Sequence, residues 1–303
     1  TGVGGAGVGG ASSGSGGGTG AVGGSSAVQS VAVGSGGSML GCSKIDFLFV
    51  IDNSVSMKNE QEALIASFPG FISSIKANVS AKSDYHILVA DTDDWGKCDP
   101  NAKLCPSQNL CSEANAYICT AKFGMCDMTI GAGVVQPAGL GASNKNCQLA
   151  GGKRYVQEQE PDVNAAFGCI AQVGLAGHAQ ERPMDSLVAA VSADFNKPGA
   201  CNDGFVRDDA LLVVTFITDE GGNDSGTPQD WYDAVLAAKN GNPDAVIVIG
   251  LTANGPTSKL NQFVALWGQH GFAGSVKEPN YTPLFASAIK TIDDACDKFT
   301  PPN

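Results

Sequence analysis

Short apolar runs alternate with segments of helical periodicity from residue 45 onward. Four runs are apolar at almost every position and have the length of strands: IDFLFVI (45–51), YHILVAD (85–91), DALLVVTFITD (209–219) and AVIVIGLT (245–252). A shorter run, GFAGSV (271–276), follows near the end. Because strands of parallel sheets are covered on both faces, they read as continuous apolar runs. The pattern therefore predicts a buried, mainly parallel sheet.

The segments between these runs carry apolar residues at the spacing of an α-helix. The first covers 58–79, and we expect Pro69 to bend or split it. Further helices are predicted over 161–174, 183–195, 228–240, 258–269 and 282–299. Strands that alternate with helices predict an α/β fold, in which a doubly wound sheet has helices on both faces.

Two segments depart from this alternation. Residues 1–40 hold 16 glycines and no charged side chain, and they are predicted to be a low-complexity arm or linker because they cannot bury enough apolar area to offset chain entropy. Within the arm, AVQSVAV (27–33) could add as an edge strand to a neighbouring subunit, which would allow self-assembly. Residues 92–152 lack periodicity and are predicted to be a cysteine-rich insertion in a domain that covers 41–300.

The chain has ten cysteines and no CxxC pair, which favours disulfides over zinc or redox chemistry. Six of them lie in the insertion, which we expect to be crosslinked by its own disulfides. For the other four, Cys42–Cys296 with Cys169–Cys201 is the preferred choice among three pairings. Since the sequence also opens on Thr1 rather than Met, we expect a processed, exported protein, extracellular or on the cell surface, with the periplasm as an alternative.

Acidic residues outnumber basic ones by 30 to 18, and the formal net charge is −12. Nucleic acid and anionic membranes attract basic surfaces, so neither is expected as the main partner. No apolar run approaches the roughly 18–20 residues that a transmembrane helix needs. This balance suits a protein that binds cations.

The strand 45–51 ends in DNSVS, which presents Asp52, Ser54 and Ser56 at alternate positions. Ligands of doubly wound sheets bind beyond the carboxyl ends of the strands, so these three side chains could converge on one cation. Their hard oxygens suit Mg²⁺, Ca²⁺ or Mn²⁺. The alternative is a strand end followed by an ordinary helix cap, where Asp and Ser are also favoured.

A second strand ends in the same way, because the run 209–219 closes on Asp219, with Glu220 next. Two acidic loops at one edge of a sheet repel each other unless a cation lies between them. The sequence therefore predicts a divalent-cation site built from two separate strand ends.

FVIDNSVSM, followed later by VTFITDE, resembles the metal-ion-dependent adhesion site (MIDAS) of the von Willebrand factor A (vWA) domain. The resemblance covers roughly residues 44–299, and DNSVSMKNEQEALIASFPGFI, DYHILVADTDD and CNDGFVRDDALLVVTFITDE are similar to a bacterial, exported branch of the family. It implies that Asp52, Ser54 and Ser56 form the first metal loop and that Asp219 belongs to the third.

The family's second loop usually supplies a threonine, and GHAQERPMD (177–185) contains none. Glu181 is the best candidate there, as a direct or water-bridged ligand, and the alternative is a solvated residue beside Arg182. A third carboxylate would weaken the capture of a partner's acidic side chain. It would favour a structural or Ca²⁺-preferring site.

The resemblance implies a secreted or cell-surface module for adhesion, whose partner is a protein or another extracellular macromolecule. The alternative is a structural subunit of a surface assembly or filament, in which the cation only stabilises one edge. We do not expect an enzyme, because the sequence has no HExxH helix or phosphate-binding loop, and we identify no nucleophile–base pair.

Overall fold

The computed structural model describes residues 42–78, 84–92, 121–177 and 181–299. The predicted arm (1–40), with its strand-like segment 27–33, lies outside these residues, and so does a large part of the predicted insertion. The role of the arm in self-assembly and the boundaries of the domain and its insertion therefore stay predictions.

The described residues form strands and helices close to those predicted. The strands are β1 (Lys44–Ile51), β2 (Asp84–Asp91), β3 (Val156–Gln157), β4 (Leu211–Thr218), β5 (Val246–Thr252) and β6 (Gly271–Ser275). The helices are α1 (Lys58–Asn78), α2 (Val163–Ala171), α3 (Pro183–Val191), α4 (Ala193–Asn196), α5 (Pro228–Ala237), α6 (Lys259–Leu266) and α7 (Thr282–Lys298). In the described part of the chain, no helix has the length and apolar character needed to cross a bilayer.

The six strands form one sheet in the order β3–β2–β1–β4–β5–β6. Strands β2, β1, β4, β5 and β6 are parallel to their neighbours in this order, whereas β3 pairs with β2 in the antiparallel direction. The predicted α/β fold with a mainly parallel sheet is therefore confirmed. Strand β3 was not predicted, because two residues are too few to show a periodicity.

The direction in which strands are added reverses between β1 and β4. The chain proceeds from β1 outward through β2 to β3, and then returns to place β4 on the other side of β1. A doubly wound sheet opens a crevice at such a reversal, beyond the carboxyl ends of the two strands. Those ends are Ile51 and Thr218, directly before Asp52 and Asp219.

Both faces of the sheet are buried, as the continuous apolar strands predict. In β1, Phe47 and Phe49 pack against Phe71 of α1 on one face, while Leu48 and Val50 belong to the core on the other face. Successive side chains of a strand point to opposite faces. A strand that is apolar throughout must therefore lie at the centre of the fold.

Two helices differ from their predicted form. Helix α1 continues through Pro69, so of the predicted bend or split the split is wrong, and the bend stays a prediction. Its buried residues Phe68 and Phe71 hold both sides of the proline against the sheet. The predicted helix 183–195 is instead interrupted at Ser192, whose backbone is extended and whose hydroxyl caps α4.

Three disulfides join described cysteines. The observed pairs are Cys42–Cys296, Cys126–Cys201 and Cys147–Cys169. The predicted pair Cys42–Cys296 is therefore confirmed, and the predicted pair Cys169–Cys201 is wrong. The other insertion cysteines, Cys98, Cys105, Cys111 and Cys119, lie outside the described residues.

The reason for this correction is that the later part of the insertion packs on the domain. The amide of Val134 donates a hydrogen bond of 2.7 Å to the carbonyl of Val89 in β2, and Val134 is buried. Cysteines of this segment consequently lie beside α2 and the loop after α4. The prediction that the insertion is crosslinked by its own disulfides does not hold for these two bridges.

Candidate metal centre

Asp52 extends the β1–β4 pairing by one residue, because its amide donates to the carbonyl of Ile217 at 2.9 Å. Its carboxylate is fully buried. Oδ1 accepts from the amide of Ser54 at 2.7 Å, and Oδ2 accepts from the hydroxyl of Thr218 at 2.7 Å. The side chain of Asp52 is thus held in one orientation between the two strand ends.

Burial raises the pKa of Asp52, although hydrogen bonds from Thr218 and Ser54 oppose this shift and the charge of Asp219 adds to it. A raised pKa means that the negative charge costs free energy at this position. A cation bound nearby would offset that cost.

Ser54, Ser56 and Asp219 continue the cluster toward the surface. The hydroxyl oxygens of Ser54 and Ser56 lie 3.2 Å apart, and the Ser56 hydroxyl donates to Oδ1 of Asp219 at 3.0 Å. The structure therefore brings four of the five predicted site residues together, from the ends of β1 and β4. We call Asp52, Ser54, Ser56 and Asp219 the oxygen cluster.

The oxygen cluster offers carboxylate and hydroxyl oxygens, which are the ligands that a hard divalent cation prefers. Neighbouring oxygens around an octahedral Mg²⁺ ion are about 3 Å apart, which agrees with the two distances that involve Ser56. Within the described ranges, no group of three or more His, Cys, Asp or Glu side chains could hold a metal ion. A cation would therefore depend on the serine hydroxyls as well as on Asp52 and Asp219.

Glu181 reaches this edge of the sheet from another side. It is fully buried, so the alternative of a solvated residue is wrong. Its Oε2 accepts a hydrogen bond from the hydroxyl of Thr92, which also lies 3.2 Å from Oδ1 of Asn53. The backbone carbonyl of Glu181 accepts from the amide of Asn223 at 2.7 Å. Thr92 therefore links Glu181 to Asn53, which lies between Asp52 and Ser54 in the chain.

Two charged residues that the sequence did not predict lie beside the cluster. Nζ of Lys277 lies 2.7 Å from Oδ2 of Asp219 and 2.9 Å from Oε1 of Glu60. Lys277 comes two residues after β6, at the same edge of the sheet, and Glu60 lies in the first turn of α1. The sequence signal that could have pointed to them was their position, because Lys277 follows a predicted strand and Glu60 lies near the start of a predicted helix.

Gln61 and Thr218 were also missed, and both hold the loop that follows β1. Nε2 of Gln61 donates to the carbonyls of Asp52 at 3.0 Å and Gly174 at 2.8 Å. Gln61 is buried, so it ties the loop after β1 to the segment after α2. Thr218 orients the carboxylate of Asp52 through the hydrogen bond described above.

No protein-family model and no curated protein matches the chain. Among solved structures, it is similar to proximal thread matrix protein 1 from the mussel byssus, with 13% identity and a TM-score of 0.40 over 83% of this chain and 49% of that one. It is also similar to the pilus adhesin SpaC from Lactobacillus rhamnosus GG in its open conformation, with 9% identity and a TM-score of 0.39 over 84% of this chain and 30% of that one. The chain thus spans about half or less of these proteins, and similarity at this level assigns it no family or function.

Proposed function

We propose that this protein is an exported vWA-type module that binds one divalent cation at the oxygen cluster and uses this edge to bind another extracellular protein. The observation that carries the proposal is the contact between two strand ends, in which Ser56 of the first loop donates to Asp219 of the other. The reversal of strand order between β1 and β4 supports it, because ligands bind at such a crevice.

The residues of the cluster differ in their role. Asp52 supplies a buried charge whose orientation is set by Ser54 and Thr218. Ser56 is exposed and joins this buried part to Asp219. When bound, a divalent cation supplies a Lewis-acidic contact for an oxygen of a partner, for which an acidic side chain is the natural donor.

Glu181 is proposed as a water-bridged rather than a direct ligand. Its carboxylate is engaged by Thr92 on the side of Asn53. In this arrangement Mg²⁺ fits the spacing of the oxygens, and Ca²⁺ or Mn²⁺ are the alternatives.

The module is a binding protein rather than an enzyme in this proposal. Asp52 and Ser54 are buried and engaged in hydrogen bonds with their own loops, which supports a role in holding a cation rather than in attacking a substrate. The three described disulfides fit an oxidising compartment, and we therefore propose a location outside the cytoplasm, at the cell surface or in the medium.

Calorimetric titration with Mg²⁺, Ca²⁺ and Mn²⁺ tests the proposal directly. The wild type should bind one ion in a saturable way, and its melting temperature should rise, since 100-fold excess over Kd stabilises by about 2.7 kcal/mol. Asp52→Asn should lose both effects. Asp294→Asn, which changes an aspartate paired with Lys290 on α7, should keep them.

Circular dichroism of Asp52→Asn separates a lost site from a lost fold, and Asp219→Asn provides a second variant at a less buried position. Absence of saturable binding for all three ions would contradict the proposal, and so would binding that survives in a folded Asp52→Asn variant. Capture of acidic extracellular proteins, compared with and without a chelator, then tests the role in adhesion.

A further inference from the structure

Lys277 places an ammonium group directly against the oxygen cluster. The backbone around it is fixed, because the amide of Val276 donates to the carbonyl of Thr252 at 3.1 Å and the amide of Lys277 donates to the hydroxyl of Ser275 at 3.2 Å. The side chain then reaches Asp219 at 2.7 Å and Glu60 at 2.9 Å. It joins the loop after β6 to the loop after β4 and to α1.

The exposure of the three groups is unequal. The side chains of Asp219 and Glu60 are 8% and 7% exposed, whereas that of Lys277 is 51% exposed. The carboxylates are therefore fixed in the fold, while the ammonium lies on a flexible stem that borders on water. Among the described residues, Oε2 of Glu60 is buried without a hydrogen-bond partner, so Lys277 provides the counter-charge for this carboxylate.

The ammonium of Lys277 faces two carboxylates, those of Asp219 and Glu60, and a lysine ordinarily titrates near pH 10.4. The group therefore carries its positive charge at neutral pH. Asp52, Asp219 and Glu60 bring three carboxylates to this edge, and the ammonium of Lys277 offsets one of these negative charges. Without the ammonium, one more negative charge would be left uncompensated at this edge and would attract a divalent ion more strongly.

We propose that Lys277 is a tethered cation that competes with a divalent ion for Asp219 and thereby sets the metal affinity of the oxygen cluster. The inference rests on the proposed function. It has two consequences: the lysine stabilises the metal-free protein, and it weakens metal binding by repulsion and competition. A purely structural ion pair would have the first consequence without the second.

Lys277→Met tests the inference, since it keeps an unbranched apolar stem and removes the charge. By Coulomb's law at a half-exposed site, this variant should bind Mg²⁺ about tenfold more tightly than wild type. It should also melt at a lower temperature without metal and show a larger rise in melting temperature when Mg²⁺ is added. Lys277→Arg, which keeps the charge, should stay close to wild type.

Lys290→Met is the matched control, because Lys290 pairs with Asp294 on α7 at 2.6 Å. It should leave Mg²⁺ binding unchanged. If Lys277→Met bound Mg²⁺ no more tightly than wild type, the inference about Lys277 would be overturned. The proposed function would still stand in that case, provided that Asp52→Asn abolished Mg²⁺ binding. Absence of any Asp52-dependent binding in both wild type and Lys277→Met would overturn the two together.

Discussion

The hydroxyl of Ser56 donates a hydrogen bond of 3.0 Å to Oδ1 of Asp219, and the two residues are 163 positions apart in the chain. They meet because β1 and β4 are parallel neighbours, paired from Ile45 with Leu211 to Ile51 with Ile217. Parallel strands in register end at the same edge, so the loops that follow them are adjacent. The oxygen cluster is a direct consequence of this strand pairing.

Ser56→Ala should weaken Mg²⁺ binding at least tenfold with little effect on folding. The hydroxyl is the contact between Ser54 and Asp219, but the residue is exposed, and exposed substitutions usually change stability by about 0.5 kcal/mol or less. Calorimetry and urea unfolding measure the two effects. Ser287→Ala is the control, because this serine donates to the carbonyl of Pro283 in its own helix, and it should change neither quantity. If Ser56→Ala bound Mg²⁺ as tightly as wild type, Ser56 would not be a ligand.

Opening the disulfide Cys42–Cys296 should destabilise the protein more than opening Cys147–Cys169. The paired residues are 254 positions apart in the first and 22 in the second. Since a longer closed loop restricts the unfolded chain more, the difference should be about 2 kcal/mol. Urea unfolding of the two double alanine variants without reductant measures it, and the reverse order would show that native packing outweighs chain entropy.

The buried His86 should make stability depend on pH. Burial, with a contribution from Arg207, lowers the pKa of His86 to about 4, whereas an unfolded histidine titrates near pH 6.5. The unfolded state therefore binds more protons in this window, and stability falls as the pH decreases from about 6.5 to 4. The advantage of wild type over His86→Phe should shrink by on the order of 3 kcal/mol over that range, as measured by urea unfolding.

Asp46 should show the opposite trend. Burial raises the pKa of Asp46 to about 7 although Arg207 opposes the shift, so the folded state holds a proton that the unfolded state has released. Stability from this group falls as the pH rises from about 4 to 7. The advantage of wild type over Asp46→Asn should therefore shrink in that direction, and a change of the same sign as for His86→Phe would refute the assignment.

Phe49→Ala should cost about 3–5 kcal/mol of unfolding free energy, because it removes a ring at the centre of the core. The ring of Phe49 lies 5.0 Å from that of Phe167 and 6.1 Å from that of Phe68 between centroids. Val55→Ala, at a side chain that is 62% exposed, is the control and should change stability by about 0.5 kcal/mol or less. A loss for Phe49→Ala as small as that of the control would mean that the cavity collapses without cost.

Prediction from the sequence succeeded where a local pattern carries the information. The strands β1, β2, β4 and β5 lie within two residues of their predicted bounds, because each is buried on both faces and is apolar at nearly every position. The predicted helix 183–195 was wrong at Ser192, and the reason for this error is also local. The hydroxyl of Ser192 accepts from the amide of Phe195, and this cap begins a new helix.

The partners of individual side chains depend on contacts between distant segments. The pairing of Cys169 with Cys147 follows from the packing of the insertion against β2, which no periodicity announces. The contact of Lys277 with Asp219 requires the position of β6 relative to β4. Neither could be read from composition or spacing.

The sequence by itself determined the fold class, the strand ends at which Asp52 and Asp219 lie, and the use of cysteines in disulfides. Each of these depends on short apolar runs or on residue type, which are local features of the chain. Only the tertiary structure decided that Ser56 touches Asp219, that Glu181 is buried beside Thr92, and that Lys277 supplies a positive charge to the cluster. The physical reason is that burial and charge pairing act through space, and the order of the strands in the sheet sets which distant residues share that space.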